Sequence, residues 1–197
     1  MSDPGELAPC PGQDGGQAAG ITVREETPAD AALVSDVVRR AYAAVPFSNH
    51  REHLMVERLR ASSAFVPPLS LVAEVRGEPA GHIMLTRITI RDGAVSTPSL
   101  ALAPLSVVPE FQGRSVGSAL VHEAHRRARA LGFRSVVVVG IAGYYGRFGY
   151  VPLGLYPVTV PFEVRPENCG IHALCEGGLD GLRGVIEYAP EWMEAPR

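Results

Sequence analysis

The organisation of this chain can be inferred from residues 100–139, which read LALAPLSVVPEFQGRSVGSALVHEAHRRARALGFRSVVVV. Residues 100–108 form a nearly continuous apolar run, which predicts a β-strand. Pro104 lies inside this run and has no N–H to donate to a neighbouring strand, so we expect a bulge or a bend there. The β-branched residues 136–139 indicate a second strand that is buried on both faces.

A helix is predicted between these two strands. Its apolar positions recur at the spacing of one helix face, and Gly132 follows where a left-handed C-terminal cap belongs. A strand, a glycine-containing loop, a helix and a second buried strand form a βαβ unit, in which the two strands are parallel. The positions that define the helix face are Val116, Ala119, Leu120, Ala124, Ala128 and Leu131.

Segments on either side of this unit extend the sheet. Apolar and alternating runs predict further strands, and turn residues between two of them indicate an antiparallel hairpin. The predicted elements are strands at 21–24, 69–76, 80–90 and 185–188, a helix that starts at Thr27-Pro28, and a helix at 50–59. We therefore expect an α/β fold of the mixed (α+β) kind, with helices flanking a central, mostly antiparallel sheet.

The composition is that of a single domain. The chain has 197 residues, of which 46% are hydrophobic, and its 18 basic residues are all Arg. Residues 1–20 are rich in Gly and Pro and have little to bury, which predicts a disordered tail before a domain at 21–197. Within this domain, residues 152–197 are divided by prolines and are expected to be irregular.

The charge pattern and the cysteines restrict the functional class. Three acidic residues and no Arg lie in the tail, so the rest of the chain carries equal numbers of acids and Arg. This balance does not favour nucleic acid or an anionic membrane as a partner. We find neither a long apolar run nor a secretory signal, and the odd cysteine count indicates reduced thiols, so we expect a cytoplasmic protein.

The loop before the predicted helix is suited to bind an anion. Backbone N–H groups in the first turn of a helix have no intrahelical partner and can bind phosphate. Gly113 and Gly117 permit close approach to the backbone, Arg114 adds positive charge, and Ser115 and Ser118 add hydroxyl groups. The chain contains no Lys, so this loop is not a P-loop.

Two segments resemble the GNAT superfamily of N-acetyltransferases. Residues 107–120, VVPEFQGRSVGSAL, resemble its motif A, in which Gln/Arg-x-x-Gly-x-Gly/Ala joins the fourth strand to the third helix. Gln112 and Gly117 match this pattern, and Ser115 replaces its first glycine. Residues 144–150, YYGRFGY, resemble the family's Phe-Tyr-x-x-x-Gly-Phe segment, most closely as it occurs in a bacterial subgroup of predicted N-acetyltransferases.

The resemblance implies both a fold and an activity. The two parallel strands would splay apart, and acetyl-CoA, bound between them, would donate its acetyl group to a primary amine by direct attack. A backbone N–H at Val107 or Val108 would polarise the thioester carbonyl, and Tyr145 would protonate the leaving sulfur. The residues expected to bind the cofactor are Val107, Val108, Gln112, Gly113, Arg114, Ser115, Val116, Gly117 and Ser118.

The acceptor and the general base are left open. The resemblance is compatible with a small-molecule or a peptide amine as acceptor, and with a homodimer. Some family members use a Glu in the fourth strand as base, but residues 100–108 contain no Asp, Glu or His. Glu74, His82 and Glu163 are the alternative candidates. The missing base and Ser115 also favour an alternative function, a non-catalytic module that binds acyl-CoA.

Two other chemistries are not supported by the spacing of the residues. His122 and His125 stand three positions apart, whereas a helical zinc motif needs four, so we expect no metal. The glycines at 140, 143 and 146 do not have the spacing of the dinucleotide-binding fingerprint. A nicotinamide-dependent oxidoreductase is therefore disfavoured.

Overall fold

The computed structural model describes residues 20–46 and 48–193. The predicted tail, apart from Gly20, lies outside these residues, as do residues 194–197. Four α-helices are assigned within the described part of the chain, α1 (Ala31–Tyr42), α2 (Glu52–Arg60), α3 (Val116–Ala130) and α4 (Ala142–Tyr145). The strands there are β1 (Ile21–Glu25), β2 (Ser70–Val75), β3 (Glu78–Asp92), β4 (Val95–Val107), β5 (Ser135–Val139), β6 (Val151–Pro152), β7 (Val158–Thr159), β8 (Cys169–Ala173) and β9 (Gly184–Glu187).

The strands form one mixed sheet, as predicted. Its main path runs β1-β2-β3-β4-β5-β8-β6, and β9 joins it by pairing with the far end of β3. Along this path β4 and β5 are parallel and the other pairs are antiparallel, so the predicted βαβ unit is confirmed. A second, two-residue parallel contact joins β7 to β9.

Alternating side chains of the sheet build a core on each face. On one face, Leu100, Leu102, Val136 and Val138 pack with the apolar side of α3. On the other face, Ala101 and Val137 pack under the C-terminal segment, while β2 and β3 contribute Val72 and Met84 to a cluster with α1 and α2. The sheet is thus enclosed between α3 on one side and α1, α2 and the C-terminal segment on the other.

The C-terminal third is more regular than predicted. One late strand was expected after residue 152, but β7, β8 and β9 all lie there, and β8 pairs with β5 along the whole length of β5. The β8 sequence, CGIHA, contains a glycine and a histidine and lacks an apolar alternation long enough to identify a strand. Its conformation depends on the partner strand β5.

The burial predicted for β5 is correct for most of the strand. Val136 and Val137 are fully buried and Val138 is 3% exposed, but Val139 is 37% exposed. The expectation that all four valines are buried on both faces is therefore wrong at the last one. Val139 lies at the end of the strand, beyond the residues of β5 that pair with β4.

Candidate active site

The parallel strands β4 and β5 separate at one end. Their pairing covers only Leu100 to Leu102 of β4, which face Val136 to Val138 of β5. Beyond this point β4 continues to Val107 while it pairs only with β3 on its other side. We call residues 100–102 the closed half of β4 and residues 103–107 the open half. The open half presents backbone groups to the space between the two strands.

A bulge marks the boundary between these two halves. The β3–β4 register shifts between Ile83 and Leu85, so that Ala103 and Pro104 together lie opposite a single β3 residue, Met84. The bulge or bend predicted at Pro104 is confirmed. An extra residue in one strand bends that strand away from its neighbour, so the bulge accounts for the divergence of β4 from β5.

The two candidate amide groups at the end of β4 point in opposite directions. The Val108 N–H donates to the Ala80 carbonyl oxygen at 3.0 Å, which ties it into the sheet beside β3. Because successive amides of a strand alternate in direction, the Val107 N–H faces the open side. The Val107 carbonyl accepts a hydrogen bond from Gln112 Nε2 at 3.0 Å. Of the two alternatives, Val107 is therefore the one with an N–H available at the separation of the strands.

The loop from Gln112 to Ser118 presents its amides at the start of α3. The helix makes its first backbone bond from Ala119 N–H to the Ser115 carbonyl at 2.9 Å, so the earlier amides of α3 have no intrahelical acceptor. Gly113 and Ser115 have φ values of 73° and 63°. Ser115 thus adopts, with a side chain, the left-handed conformation that glycine adopts more readily.

Gly117 lies against an aromatic side chain as well as at the helix start. A Cβ at Gly117 would overlap the Tyr144 hydroxyl oxygen and would lie 3.5 Å from Val107 Cγ2. The Arg147 guanidinium stacks on the Tyr144 ring at 4.1 Å from its centroid. Tyr144 therefore packs beside the loop at 112–118, a contact that sequence spacing did not predict.

Tyr145 occupies a different environment from Tyr144. Burial raises the pKa of Tyr145 far above its ordinary value, and nearby Tyr42 and Tyr144 raise it further. The Tyr42 hydroxyl, at the end of α1, donates to the Leu105 carbonyl oxygen of the open half at 3.4 Å. The phenol of Tyr145 is consequently protonated at neutral pH, and its ring centroid lies 5.1 Å from that of Tyr144.

The three candidate bases are placed away from this arrangement or are already engaged. Glu74 accepts a hydrogen bond from Arg24 Nε at 2.8 Å. His82 is fully buried, and its Nε2 lies 3.1 Å from Ser70 Oγ and 3.3 Å from Glu26 Oε2. Glu163 is exposed in the C-terminal segment.

A carboxylate that the sequence analysis did not consider interacts electrostatically with Tyr42. Glu52, in the first turn of α2, acts electrostatically on Tyr42, whose pKa is raised to about 12 by burial and by the Glu52 charge. Glu52 lines a cleft of about 310 Å³ between α2 and Trp192. A first-turn carboxylate is common because it stabilises a helix, so the sequence alone offered no reason to single it out.

Two further properties of the described residues bear on function. No group of three or more His, Cys, Asp or Glu within residues 20–46 and 48–193 could hold a metal ion. No helix in the same part of the chain is long and apolar enough to cross a membrane.

The fold matches solved structures of acetyltransferases. A GNAT family N-acetyltransferase (YhbS) from Escherichia coli, in complex with CoA, matches with a TM-score of 0.78 at 23% identity, over 87% of this chain and 91% of that chain. A GNAT family acetyltransferase from Brucella melitensis, in complex with acetyl-CoA, matches with a TM-score of 0.72 at 31% identity, over 88% of this chain and 98% of that chain.

Sequence comparison identifies the family. The model of the acetyltransferase (GNAT) family matches residues 36–150. The N-acetyltransferase YjhQ of Escherichia coli K12 is 35% identical over 144 residues, which cover 71% of this chain and 76% of that protein. The chain belongs to the GNAT family of acetyltransferases.

Proposed function

We propose that this protein transfers an acetyl group from acetyl-CoA to a primary amine by direct attack. The proposal rests chiefly on three features in and around the open half of β4. These are an available amide at Val107, the amides at the start of α3, and a partly buried, protonated phenol at Tyr145. The CoA and acetyl-CoA found in the two structures of similar fold support the choice of donor.

The donor's pyrophosphate would bind at the start of α3. The amides of residues 113–118 and the positive end of the helix dipole favour a negative charge there. Arg114 is exposed beside these amides, and its guanidinium lies 5.6 Å from the centroid of the Phe111 ring. The acyl arm would then lie along the open half of β4, where β5 provides no partner strand.

The transfer step needs two hydrogen-bond donors, and each has a candidate. As the amine nitrogen attacks the thioester carbon, negative charge develops on the carbonyl oxygen, which the Val107 N–H would stabilise. The C–N bond forms and the C–S bond breaks, and the sulfur takes a proton from the Tyr145 hydroxyl. The phenol recovers a proton from the nitrogen that becomes the amide.

The first experiment is calorimetric titration of the protein with acetyl-CoA, CoA and NADPH in parallel. We expect acetyl-CoA and CoA to bind and NADPH not to bind, and amine-dependent release of free thiol to follow. Binding of acetyl-CoA without transfer to any amine would favour the non-catalytic module. Absence of binding to either CoA species would overturn the proposal.

The acid is tested by Tyr145→Phe. Because general acid catalysis contributes about 10²-fold or more, we expect kcat to fall by roughly that factor while the acetyl-CoA affinity stays unchanged. Tyr156→Phe, which removes a phenol from the C-terminal segment, is the matched control and should leave kcat unaltered. A Tyr145→Phe enzyme with wild-type kcat across the pH range would exclude this residue as the acid.

A further inference from the structure

Gly81 is a buried glycine in the interior of β3. It faces Val107 of β4 in the register of the two strands. A glycine weakens a strand because it has no side chain to pack, and it often marks a place where another backbone approaches closely. The extended conformation of a strand is open to every residue. The reason for a glycine at this position is therefore the space around it.

Three neighbours of Gly81 leave no room for a side chain. A Cβ at this position would lie 2.8 Å from the Ser106 carbonyl oxygen, 3.0 Å from Leu120 Cδ1 and 3.2 Å from Val116 Cγ1. The first neighbour is backbone of β4, and the other two are side chains of α3. The ends of these side chains can yield by small movements, whereas the carbonyl oxygen moves only with the backbone of β4.

The Ser106 carbonyl and the Val107 N–H belong to one peptide group. A trans peptide group is planar, and its C=O and N–H bonds point in opposite directions. The Ser106 carbonyl oxygen lies against Gly81 of β3. The Val107 N–H consequently faces away from β3, toward the separation of β4 from β5. A displacement of this carbonyl therefore turns the N–H that would bind the thioester.

The contact at Gly81 matters because of how the neighbouring peptide group is held. The peptide group between Val107 and Val108 is fixed on both sides, since its N–H donates to the Ala80 carbonyl and its own carbonyl accepts from Gln112 Nε2. The peptide group between Ser106 and Val107 has β3 on one side and faces the separation of β4 from β5 on the other. Its orientation thus depends on how closely β4 approaches β3 at Gly81.

Gly81 also lies against the helix that presents the loop amides. Val116 is the first residue of α3, and both Val116 and Leu120 are buried. The same end of α3 lies beside β4, because a Cβ at Gly117 would be 3.5 Å from Val107 Cγ2. The missing side chain at position 81 therefore permits β3, β4 and α3 to meet where the two ends of the donor's acyl arm would bind.

We propose that Gly81 is a positioning residue for the acyl donor, which holds the peptide group between Ser106 and Val107 so that the Val107 N–H is directed at the thioester carbonyl. This inference rests on the proposed function. Gly81 acts through that peptide group and does not itself contact the donor. A side chain at position 81 turns the N–H more than it disturbs α3, because the contact with the carbonyl is the shortest of the three and the least able to yield.

The first test compares two ligands that differ only in the acetyl group. The full chain with Gly81→Ala is titrated calorimetrically with acetyl-CoA and with CoA. We expect the Kd of acetyl-CoA to rise about 5-fold, which corresponds to the loss of one hydrogen bond, while the Kd of CoA stays within about 2-fold of wild type. A merely structural role would weaken the binding of both ligands equally.

Gly170→Ala is the matched control. Gly170 is also a strand glycine, in β8, but a Cβ there would make only ordinary contacts, at 3.4 Å from Tyr150 Cβ and from Val138 Cγ1. This variant should bind both ligands as wild type does. An equal change in the two affinities in Gly81→Ala, or no change in either, would overturn the inference.

A spectroscopic measurement observes the hydrogen bond directly. The carbonyl stretch of bound acetyl-CoA, isotope-labelled at the carbonyl carbon, is recorded by infrared difference spectroscopy. A hydrogen bond to the carbonyl oxygen lowers the frequency of this band. We therefore expect the band to move to higher frequency in Gly81→Ala and to stay in place in Gly170→Ala. A band at the wild-type frequency in Gly81→Ala would contradict the proposed role.

A double variant separates the contact with β4 from the contact with α3. Leu120→Ala removes the Cδ1 atom near Gly81 and leaves the Ser106 carbonyl in place. We expect Gly81→Ala combined with Leu120→Ala to show the same two changes relative to Leu120→Ala alone. If the acetyl-CoA affinity and the band instead match those of Leu120→Ala, the contact with the helix is the cause and the inference fails.

The double variant also provides the measurement if Gly81→Ala alone does not fold. If neither variant folds, the core requires this glycine, and the positioning role is rejected. Failure of the proposed function is distinguishable from these outcomes, because the wild-type protein would then bind neither acetyl-CoA nor CoA. If the wild type binds both and only the behaviour expected of Gly81→Ala is missing, the proposed function stands without this inference.

Discussion

The two halves of β4 are similar in composition and differ in what they do. Residues 100–102 pair with β3 on one side and with β5 on the other, and Leu100 to Leu102 are at most 2% exposed. Residues 103–107 are also mostly apolar, with Ser106 as the exception, but they pair only with β3, and they contact Tyr42 and Gln112 instead. One strand can thus be buried in the core at one end and, at the other end, pair with a neighbouring strand on one side only.

The largest expected effect is a loss of protein stability on substitution in the closed half of β4. Leu102 is 2% exposed and packs in the main core, so Leu102→Ala should lower the free energy of unfolding by about 3 kcal/mol. Urea denaturation of both proteins measures this loss. Because the open half is separate from this contact, the folded variant should bind acetyl-CoA with wild-type affinity, and a large change in affinity would show that the two halves are coupled.

The next effect concerns the start of α3, beside the open half of β4. Gly117→Val should weaken acetyl-CoA binding about 100-fold, roughly 2.7 kcal/mol, while unfolding changes little, because a side chain there occupies the space where phosphate would meet the backbone. Calorimetry measures the affinity. The structure adds a second cause for weaker binding of acetyl-CoA, since the side chain would also displace the Tyr144 hydroxyl.

A double variant distinguishes these two causes. Gly117→Ala combined with Tyr144→Phe removes the hydroxyl that a Cβ would overlap. If the affinity of Gly117→Ala is restored by the second change, the Tyr144 contact explains the loss. If it is not restored, the space is needed by the phosphate.

A smaller effect, at the contact of α3 with β8, depends on pH. His125 Nε2 lies 2.9 Å from Tyr150 Oη, and its ring stacks on His172 with centroids 4.5 Å apart. Burial, and then the charges of His172 and Arg129, lower the pKa of His125 to about 3. The folded protein therefore keeps this ring neutral at a pH where the unfolded chain, with an ordinary pKa of about 6.5, binds a proton.

The sign of the pH effect follows from proton linkage. Between about pH 6.5 and pH 3 the unfolded chain binds more protons at this position, so stability falls as the pH falls. From pH 6.5 to pH 5 this group should remove about 1.5 kcal/mol. Denaturation at several pH values should show a shallower decline in His125→Gln, and identical declines would mean that this histidine does not titrate on unfolding.

The smallest effect is expected at Ser115. A non-glycine residue at φ 63° costs roughly 1 kcal/mol relative to glycine, so Ser115→Gly should raise the free energy of unfolding by up to about 1 kcal/mol. The acetyl-CoA affinity should stay within a few-fold of wild type, because the loop already has the conformation that glycine would give it. A large gain in affinity would show that Ser115 obstructs the cofactor.

Much of the architecture could be predicted because it depends on local patterns. The valines of β5 and the apolar face of α3 predict a βαβ unit, and Pro104 predicts the bulge. The strand β8 could not be predicted in the same way, because its five residues have no strong preference of their own and become a strand beside β5. The predicted site residues remain predictions for experiment.

Two parts of the candidate site lay beyond sequence reasoning. Tyr42 and Glu52 belong to helices α1 and α2, far along the chain from the loop at 112–118, and no spacing relates them to it. Tyr144 and Gly117 are likewise distant in sequence, although one would collide with a side chain at the other. Such proximity arises only when separate elements pack on the same sheet.

The amino-acid sequence by itself determined the mixed sheet, the parallel pair β4 and β5, the glycine-containing loop and the GNAT resemblance. Each of these depends on residues close together in the chain, where periodicity and turn chemistry operate. Only the tertiary structure decided which amide of β4 is available, which tyrosine approaches the helix start, and which carboxylate lines the cleft. These three features depend on hydrogen bonds and packing between residues far apart in the chain, and such residues come into contact only when the chain folds.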